Sequence, residues 1–186
     1  QQLLADLYRP KTSATTPVVL MVHGGGWSSR DRSDMHSTAK SLAKQGYAVF
    51  NISYRFAPEF TYPAQIHDVQ LALRWLQNNA EIHRLDLTRI NAWGYSSGAH
   101  LVSLLASVKP GEAQTLSFSP ALPKIKAVVA GGIPADLSEY SGSPIVIPFL
   151  GGDRNEIPER YKQTSPTNHI SPDDPPVFLY HGKLDL

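Results

Sequence analysis

The chain contains no cysteine, which excludes disulfides, thiolate metal sites and a cysteine nucleophile but leaves the compartment undecided. Charged residues are scarce, at 18% of the sequence against about 25% in an average soluble protein. The 17 basic side chains nearly balance the 16 acidic ones, and no basic run stands out. A nucleic acid or an anionic membrane is therefore not expected as a partner.

A long apolar run is missing from the start of the chain, since residues 1–10 carry neither a signal peptide nor a membrane span. The length of 186 residues predicts a single domain over residues 1–186, with no room for a separate cofactor domain. Hydrophobic residues make up 41% of the chain, which is enough for a sizeable core. Because residue 1 is Gln and the chain stops directly after an apolar run, we expect both ends to be cut.

Short apolar runs in the sequence are nearly continuous rather than alternating, which is typical of parallel strands covered on both faces. They cover residues 18–23, 47–54, 90–95, 125–130 and 177–181. After the first run, apolar spacing predicts a helix that is capped by Ser33 or Asp34 and ended by Gly46. Pro63 opens a second helix, and residues 97–107 form a third.

The alternation of strands with helices predicts an α/β fold with a mostly parallel sheet and helices on both faces. Residues 3–8 alternate enough to form an edge strand, which Pro10 ends. Residues 134–176 are rich in proline but keep apolar side chains, so we expect loops and short helices inserted around the sheet.

The pentapeptide Gly94-Tyr95-Ser96-Ser97-Gly98 lies between a predicted strand and a predicted helix. This is the context of a G-x-S-x-G nucleophile elbow, in which a tight turn lifts the serine hydroxyl off the sheet edge. Ser96 is the predicted nucleophile. The backbone N–H of Ser97 then lies at a helix N-terminus, where developing negative charge is stabilised.

A second motif, His23-Gly24-Gly25-Gly26-Trp27, directly follows the first predicted strand. A glycine-rich turn can present N–H groups to an anion, and beside a nucleophilic serine that anion is the oxyanion of acyl transfer. A phosphate-binding loop is the rival use of such glycines. Neither G-x-x-x-x-G-K-[ST] nor a G-x-G-x-x-G fingerprint with its acidic partner is present, which disfavours the rival.

The sequence resembles the α/β-hydrolase fold, and within it the esterases related to hormone-sensitive lipase and to small bacterial carboxylesterases. The blocks that carry the resemblance are residues 23–27, 54–68, 94–101 and 171–185. The resemblance implies that Ser96 is the nucleophile and that the N–H groups of Gly25, Gly26 and Ser97 form the oxyanion hole. It also implies that Asp185 is the triad acid, because these enzymes place serine, acid and histidine in that order along the chain.

Several side chains near these motifs have a structural interpretation beside a functional one. His100 follows Ser96 on the same helix, but we expect it to be packed rather than catalytic. His23 is expected to brace the glycine turn through its ring. Trp27 and Tyr95 are candidate walls of the substrate pocket, although Trp27 is equally suited to the core.

Acidic side chains elsewhere complete the set of candidates. Asp136 also follows a strand and is a rival to Asp185, although related enzymes give a similar aspartate a supporting role. Arg55, Glu59 and Asp68 are expected to tie the loop after the second predicted strand to the following helix. No pair of histidines has the spacing of a zinc site, so no metal is expected.

These residues predict a serine hydrolase that cleaves small carboxylic acyl esters through an acyl-enzyme, with a small-molecule ester as its partner and no cofactor. An arylformamidase acting on N-formylkynurenine is one alternative. A non-catalytic ligand-binding protein is another, because the plant gibberellin receptors resemble this family but lack a working triad.

The histidines of the chain all lie at or before residue 181, and none follows Asp185, where the resemblance places the general base. We therefore expect the chain to be truncated before the triad histidine, without a final strand and closing helix. A polypeptide that ends at Leu186 is then expected to hydrolyse esters only at background level.

Overall fold

The computed structural model describes residues 3–112 and 114–183, which form a six-stranded sheet with helices on both faces. The strands are β1 (Ala5–Tyr8), β2 (Thr16–Val22), β3 (Ala48–Ile52), β4 (Leu85–Tyr95), β5 (Val128–Gly131) and β6 (Val177–Tyr180). The helices are α1 (His36–Lys44), α2 (Ala64–Asn78), α3 (Ala80–His83), α4 (Ser97–Ser107), α5 (Val146–Leu150) and α6 (Pro158–Thr164).

The strand order is β1-β3-β2-β4-β5-β6, in which β1 is antiparallel to β3 and the other neighbours are parallel. The predicted α/β class and the mostly parallel sheet are confirmed. Because β2, β4 and β5 are parallel neighbours, their carboxyl ends meet at one edge of the sheet. Both sequence motifs that predict chemistry lie at this edge.

The core shows why the central strand β2 carries a continuous apolar run over residues 18–22. Along β2, Val18, Leu20 and Val22 belong to a large cluster on one face, whereas Val19 and Met21 belong to a smaller cluster on the other. Successive side chains of a strand point to opposite faces, so a continuous apolar run requires cover on both sides. Helices α2 and α4 contribute to the large cluster, and α1 covers the small one.

The start of the first predicted helix differs from the expectation. Asp31, rather than Ser33 or Asp34, is the capping residue, since its carboxylate accepts a hydrogen bond from the Ser33 N–H at 2.6 Å. A short 3₁₀ helix follows over Arg32–Met35, and α1 begins only at His36. An aspartate side chain that bonds the backbone two residues on favours this tighter turn over an immediate α-helix.

Candidate active site

Ser96 occupies the turn between β4 and α4 in a conformation that non-glycine residues rarely adopt, with φ 51° and ψ −121°. Two hydrogen bonds fix the turn: the Ser96 N–H donates to the Gly131 carbonyl at 2.7 Å, and the His100 N–H donates to the Ser96 carbonyl at 3.0 Å. The Ser96 side chain is partly exposed at the carboxyl edge of the sheet. This is the geometry of a nucleophile elbow.

The glycines at 94 and 98 are required because the backbone passes too close for any side chain. A Cβ on Gly94 would lie 2.3 Å from the carbonyl of Gly98, and one on Gly98 would lie 2.2 Å from the Val22 carbonyl oxygen. The first contact closes the turn, and the second seats α4 directly on the end of β2. The spacing of the motif therefore has a steric cause in this chain.

The glycine turn after β2 packs against this elbow. A Cβ on Gly24 would lie 3.0 Å from the Tyr95 carbonyl oxygen and 3.3 Å from the Cβ of Ser96. Gly25 and Gly26 have φ values of +122° and +60°, which only glycine adopts without strain. The structure thus brings together the two motifs that the sequence separates by about seventy residues.

In the glycine turn, the Gly25 carbonyl is hydrogen-bonded, whereas the N–H groups of Gly25 and Gly26 are available. The Gly25 carbonyl accepts hydrogen bonds from the N–H groups of Ser28 and Ser29, each at 3.1 Å. Within the part of the chain that the structure describes, the N–H groups of Gly25 and Gly26 donate to no acceptor. Ser97 begins α4, so its N–H lies in the first helical turn, where donors have no partner within the helix.

His23 is fully buried, and its ring lies parallel to that of Tyr54 with the centroids 4.6 Å apart. Its Nδ1 lies 2.6 Å from the Gly24 carbonyl oxygen, which can only accept, so Nδ1 carries the proton. Burial lowers the pKa of His23 below its ordinary value, which favours the neutral ring. These contacts agree with the predicted bracing of the glycine turn.

His100 is also fully buried, and both of its ring nitrogens have partners. The Trp27 indole N–H donates to Nδ1 at 3.3 Å, and Nε2 donates to the Thr164 carbonyl at 2.7 Å. Burial lowers the pKa of His100 to about 4. The side chain is therefore a neutral, packed histidine, as the sequence interpretation favoured.

The candidate pocket residues Trp27 and Tyr95 have different environments. The Trp27 indole is only 2% exposed and stacks on Phe149, with ring centroids 4.3 Å apart, so its surroundings are those of a core residue. Tyr95 is 45% exposed next to Ser96, and its ring centroid lies 6.4 Å from that of Tyr180. Of the two, Tyr95 has the accessibility that a pocket wall needs.

Of the two candidate acids, Asp185 lies outside the described residues, and Asp136 lies in the loop after β5. Asp136 caps the 3₁₀ helix Leu137–Tyr140 by accepting from the Ser138 N–H at 2.9 Å. It also accepts a hydrogen bond from the Ser165 hydroxyl at 3.3 Å. These contacts give Asp136 a structural role in the loop after β5.

The predicted tie between the loop after β3 and α2 is an ion pair of Arg55 with Asp68. The Arg55 Nη2 and Nε donate to the same Asp68 oxygen at 2.7 and 3.0 Å, and the Arg55 backbone N–H donates to the other oxygen at 2.9 Å. The hydrogen bonds that Arg55 donates to Asp68 raise the pKa of Arg55 above its ordinary value. Glu59 takes no part in this tie and is exposed.

Tyr54 is a residue at the site that sequence reasoning missed. Its hydroxyl lies 3.3 Å from the His23 carbonyl oxygen and 3.2 Å from the Ser97 Oγ. The available signal was its place at the start of the block 54–68, since a buried tyrosine usually finds a hydrogen-bond partner for its hydroxyl.

Comparison with known families gives this geometry its context. The BD-FAE family profile matches residues 5–186. The chain belongs to the BD-FAE family. Its fold is that of the α/β-hydrolase esterases, as the resemblance implied.

Three of the similar proteins have the names of esterases or ester hydrolases. The probable carboxylic ester hydrolase LipM of Mycobacterium tuberculosis is 30% identical over 185 residues, which cover 93% of this chain and 42% of LipM. A truncated carbohydrate esterase from gut microbiota is 26% identical with a TM-score of 0.84, covering 96% of this chain and 70% of that one. Esterase B from Lactobacillus rhamnosis is 28% identical with a TM-score of 0.79, covering 94% of this chain and 60% of that one. The chain spans about half the length of the curated relatives it matches.

Residues 3–112 and 114–183 have two further features. No helix in these ranges is long and apolar enough to cross a membrane. No group of three or more His, Asp or Glu side chains there is arranged to hold a metal ion.

Proposed function

We propose that the protein is a serine hydrolase that cleaves small carboxylic acyl esters through an acyl-enzyme on Ser96. The observation that carries the proposal is the packing of the Gly24 turn against the Ser96 elbow. This contact brings the glycine turn next to a strained, partly exposed serine, and the Gly25 and Gly26 N–H groups of that turn donate to no acceptor among the described residues. Donors fixed next to a nucleophile are what acyl transfer requires, because charge develops on the carbonyl oxygen during attack.

In the proposed reaction, the Ser96 Oγ attacks the ester carbonyl carbon while a histidine accepts the hydroxyl proton. The negative oxygen of the tetrahedral intermediate accepts hydrogen bonds from the N–H groups of Gly25, Gly26 and Ser97. Collapse of the intermediate breaks the bond to the alcohol, which leaves with the proton from the histidine. Water then cleaves the acyl-enzyme by the same steps, and Asp185 orients the histidine throughout.

Neither buried histidine of the site suits the role of general base. Both ring nitrogens of His100 are already bonded, to Trp27 and to the Thr164 carbonyl. The His23 ring is fully buried and stacked on Tyr54, and its Nδ1–H donates to the Gly24 carbonyl. The general base is therefore proposed to be a histidine that follows Asp185 in sequence, because the resemblance implies the order serine, acid, histidine.

The alcohol part of the substrate is proposed from the named relatives. A carbohydrate esterase is among the similar structures, so an acylated sugar is the first ester class to test. The exposed ring of Tyr95 beside Ser96 offers an apolar surface on which a sugar face can stack.

The test uses the complete protein, including the proposed triad histidine, and consists of active-site labelling with a fluorophosphonate followed by kinetics with p-nitrophenyl acetate and an acetylated xyloside. We expect labelling of the wild-type protein and none of Ser96→Ala, with kcat reduced by about 10⁶. Ser103→Ala is the matched control, because it removes another serine hydroxyl from α4 without touching the elbow. It should label and turn over like the wild type.

Other outcomes separate the alternatives. A much larger kcat/KM on N-formylkynurenine than on any ester would replace the esterase by an arylformamidase. Absence of labelling in the wild-type protein would contradict the proposal and favour a ligand-binding protein.

A further inference from the structure

The Tyr54 hydroxyl lies between the two motifs of the site. It contacts the His23 carbonyl oxygen at 3.3 Å on one side and the Ser97 Oγ at 3.2 Å on the other. Tyr54 lies two residues after the end of β3 and is only 2% exposed. A single hydroxyl on a third element therefore joins the glycine turn to the nucleophile elbow.

The chemistry of the partners fixes the direction of these hydrogen bonds. A carbonyl oxygen only accepts, so the single proton of the Tyr54 hydroxyl is donated to His23. The Tyr54 oxygen must then accept from the Ser97 hydroxyl. Burial raises the pKa of Tyr54 well above its ordinary value, so the hydroxyl keeps the proton that it donates to the His23 carbonyl.

The Tyr54 ring is held in place independently of its hydroxyl. It stacks on the His23 ring at a centroid distance of 4.6 Å and meets the Phe56 ring edge-on at 5.6 Å. These contacts do not involve the oxygen atom. Replacing tyrosine by phenylalanine should therefore remove the two hydrogen bonds and leave the packing unchanged.

Both partners of the hydroxyl belong to residues at the proposed oxyanion hole: His23 lies two residues before the donor Gly25, and Ser97 is itself a proposed donor. The two halves of the oxyanion hole come from different strand ends, β2 and β4. Their separation has to be held closely, because a misplacement of about 1 Å can cost on the order of 100-fold in rate.

We propose that Tyr54 is a positioning residue that sets the distance between the two halves of the oxyanion hole through the chain Ser97 Oγ–H to Tyr54 O–H to the His23 carbonyl. The inference rests on the proposed function, because it assigns a role within the same site. Tyr54 does not touch the substrate in this scheme, and it acts through the backbone donors on either side.

The primary test compares Tyr54→Phe with Tyr161→Phe in the complete protein, including the proposed triad histidine, with p-nitrophenyl acetate as substrate. Tyr161 is an equally buried tyrosine whose hydroxyl donates to the Gly152 carbonyl at 3.3 Å, far from the elbow in sequence and outside the proposed machinery. We expect Tyr54→Phe to lower kcat by roughly 10- to 100-fold with KM within about twofold of wild type. Tyr161→Phe should leave both constants within about twofold.

A transition-state analogue distinguishes positioning from a purely structural role. An alkylboronic acid forms a tetrahedral adduct with Ser96, so its inhibition constant should rise for Tyr54→Phe by the same factor by which kcat falls. Ser97→Ala should lower kcat less, and the double variant should be no worse than Tyr54→Phe alone, because the Ser97 hydroxyl acts through Tyr54. If Tyr54→Phe does not fold, the parallel change in kcat and boronate affinity is sought in Ser97→Ala.

The outcomes keep the two proposals separate. Failure of the fluorophosphonate to label wild-type Ser96 would remove the proposed function. Labelling of the wild type with an unchanged kcat in Tyr54→Phe, or in Ser97→Ala when the first variant does not fold, would overturn the role of Tyr54 alone. A fall in kcat without a matching loss of boronate affinity would also overturn it.

Discussion

His100 shows how burial sets the charge state of one residue next to the proposed catalytic motif. Its ring is fully buried, donates to the Thr164 carbonyl and accepts from the Trp27 indole. Only the neutral form satisfies both contacts, because a protonated Nδ1 would point a second donor at the indole N–H. Burial accordingly lowers the pKa of His100 to about 4.

A pH dependence of stability follows from this shift. The unfolded chain binds a proton at His100 near pH 6.5, whereas the folded chain binds it only near pH 4, so acid favours unfolding between these values. Lowering the pH from 7 to 5 should therefore remove about 2 kcal/mol of the free energy of unfolding at this site. Urea denaturation at both pH values measures the loss.

His100→Asn is the matched variant for this prediction. Its amide is uncharged and cannot titrate, and only the change with pH is compared, because the shorter side chain does not reach both partners of the imidazole. The variant should lose about 2 kcal/mol less than the wild type over the same pH range, since the other acidic and basic groups are common to both. Parallel losses in the two proteins would show that His100 does not control this part of the acid response.

Among individual residues, those that belong to short motifs were predictable from the sequence, whereas Tyr54, whose contacts are long-range, was missed. The elbow around Ser96 could be recognised because its glycines have fixed spacing. Tyr54 could not, because its two partners lie 31 and 43 residues away and become its neighbours only in the folded sheet. Asp185 lies outside the described residues, so its role as the acid stays a prediction.

The element that most constrains the site is the junction of β4 with α4. Gly98 has an ordinary helical backbone conformation. A Cβ at this position would nevertheless lie 2.2 Å from the Val22 carbonyl oxygen and 2.4 Å from that of His23. Both obstacles are backbone atoms at the end of β2. They cannot rotate away, so any side chain at this position must displace the helix or the strand.

Gly98→Ala should therefore destabilise the protein by about 3 kcal/mol and abolish labelling of Ser96, because the displaced α4 carries the elbow with it. Gly152→Ala is the control: its Cβ would meet only side-chain atoms of Ile157 and Glu156, at 3.2 and 3.3 Å. That change should cost no more than about 1 kcal/mol and leave labelling intact. Equal effects of the two substitutions, measured by urea denaturation and fluorophosphonate labelling, would contradict the steric account of the motif.

The elements themselves were largely predictable, but their ends were not. The runs of apolar residues identified the strands, whereas β4 begins at Leu85 rather than at Ile90, since Leu85 pairs with Thr16 across the sheet. The first helix is preceded by a 3₁₀ turn because the Asp31 carboxylate bonds the Ser33 N–H. Both ends depend on contacts that an apolar pattern does not report.

At the scale of the whole molecule, the sheet is covered unequally on its two faces. The larger apolar cluster includes fully buried side chains of α4, among them Leu104. The smaller one consists of Val19, Met21, Ala39 and Val49, with partly buried side chains such as Leu42 of α1 packed around it. The sequence predicted helices on both faces, but it could not show this asymmetry, because similar apolar spacing marks both helices.

The asymmetry predicts different costs for the same substitution on the two faces. Leu104→Ala leaves a cavity inside the large cluster, so it should lower the free energy of unfolding by about 3 kcal/mol. Leu42→Ala removes a partly exposed side chain that neighbours and water can replace, and it should cost about 1 kcal/mol. Both sites are helical, so alanine improves helix propensity slightly and equally in each case. Urea denaturation of the two variants gives the comparison, and a cost for Leu42→Ala as large as that for Leu104→Ala would show that α1 covers the sheet as firmly as α4 does.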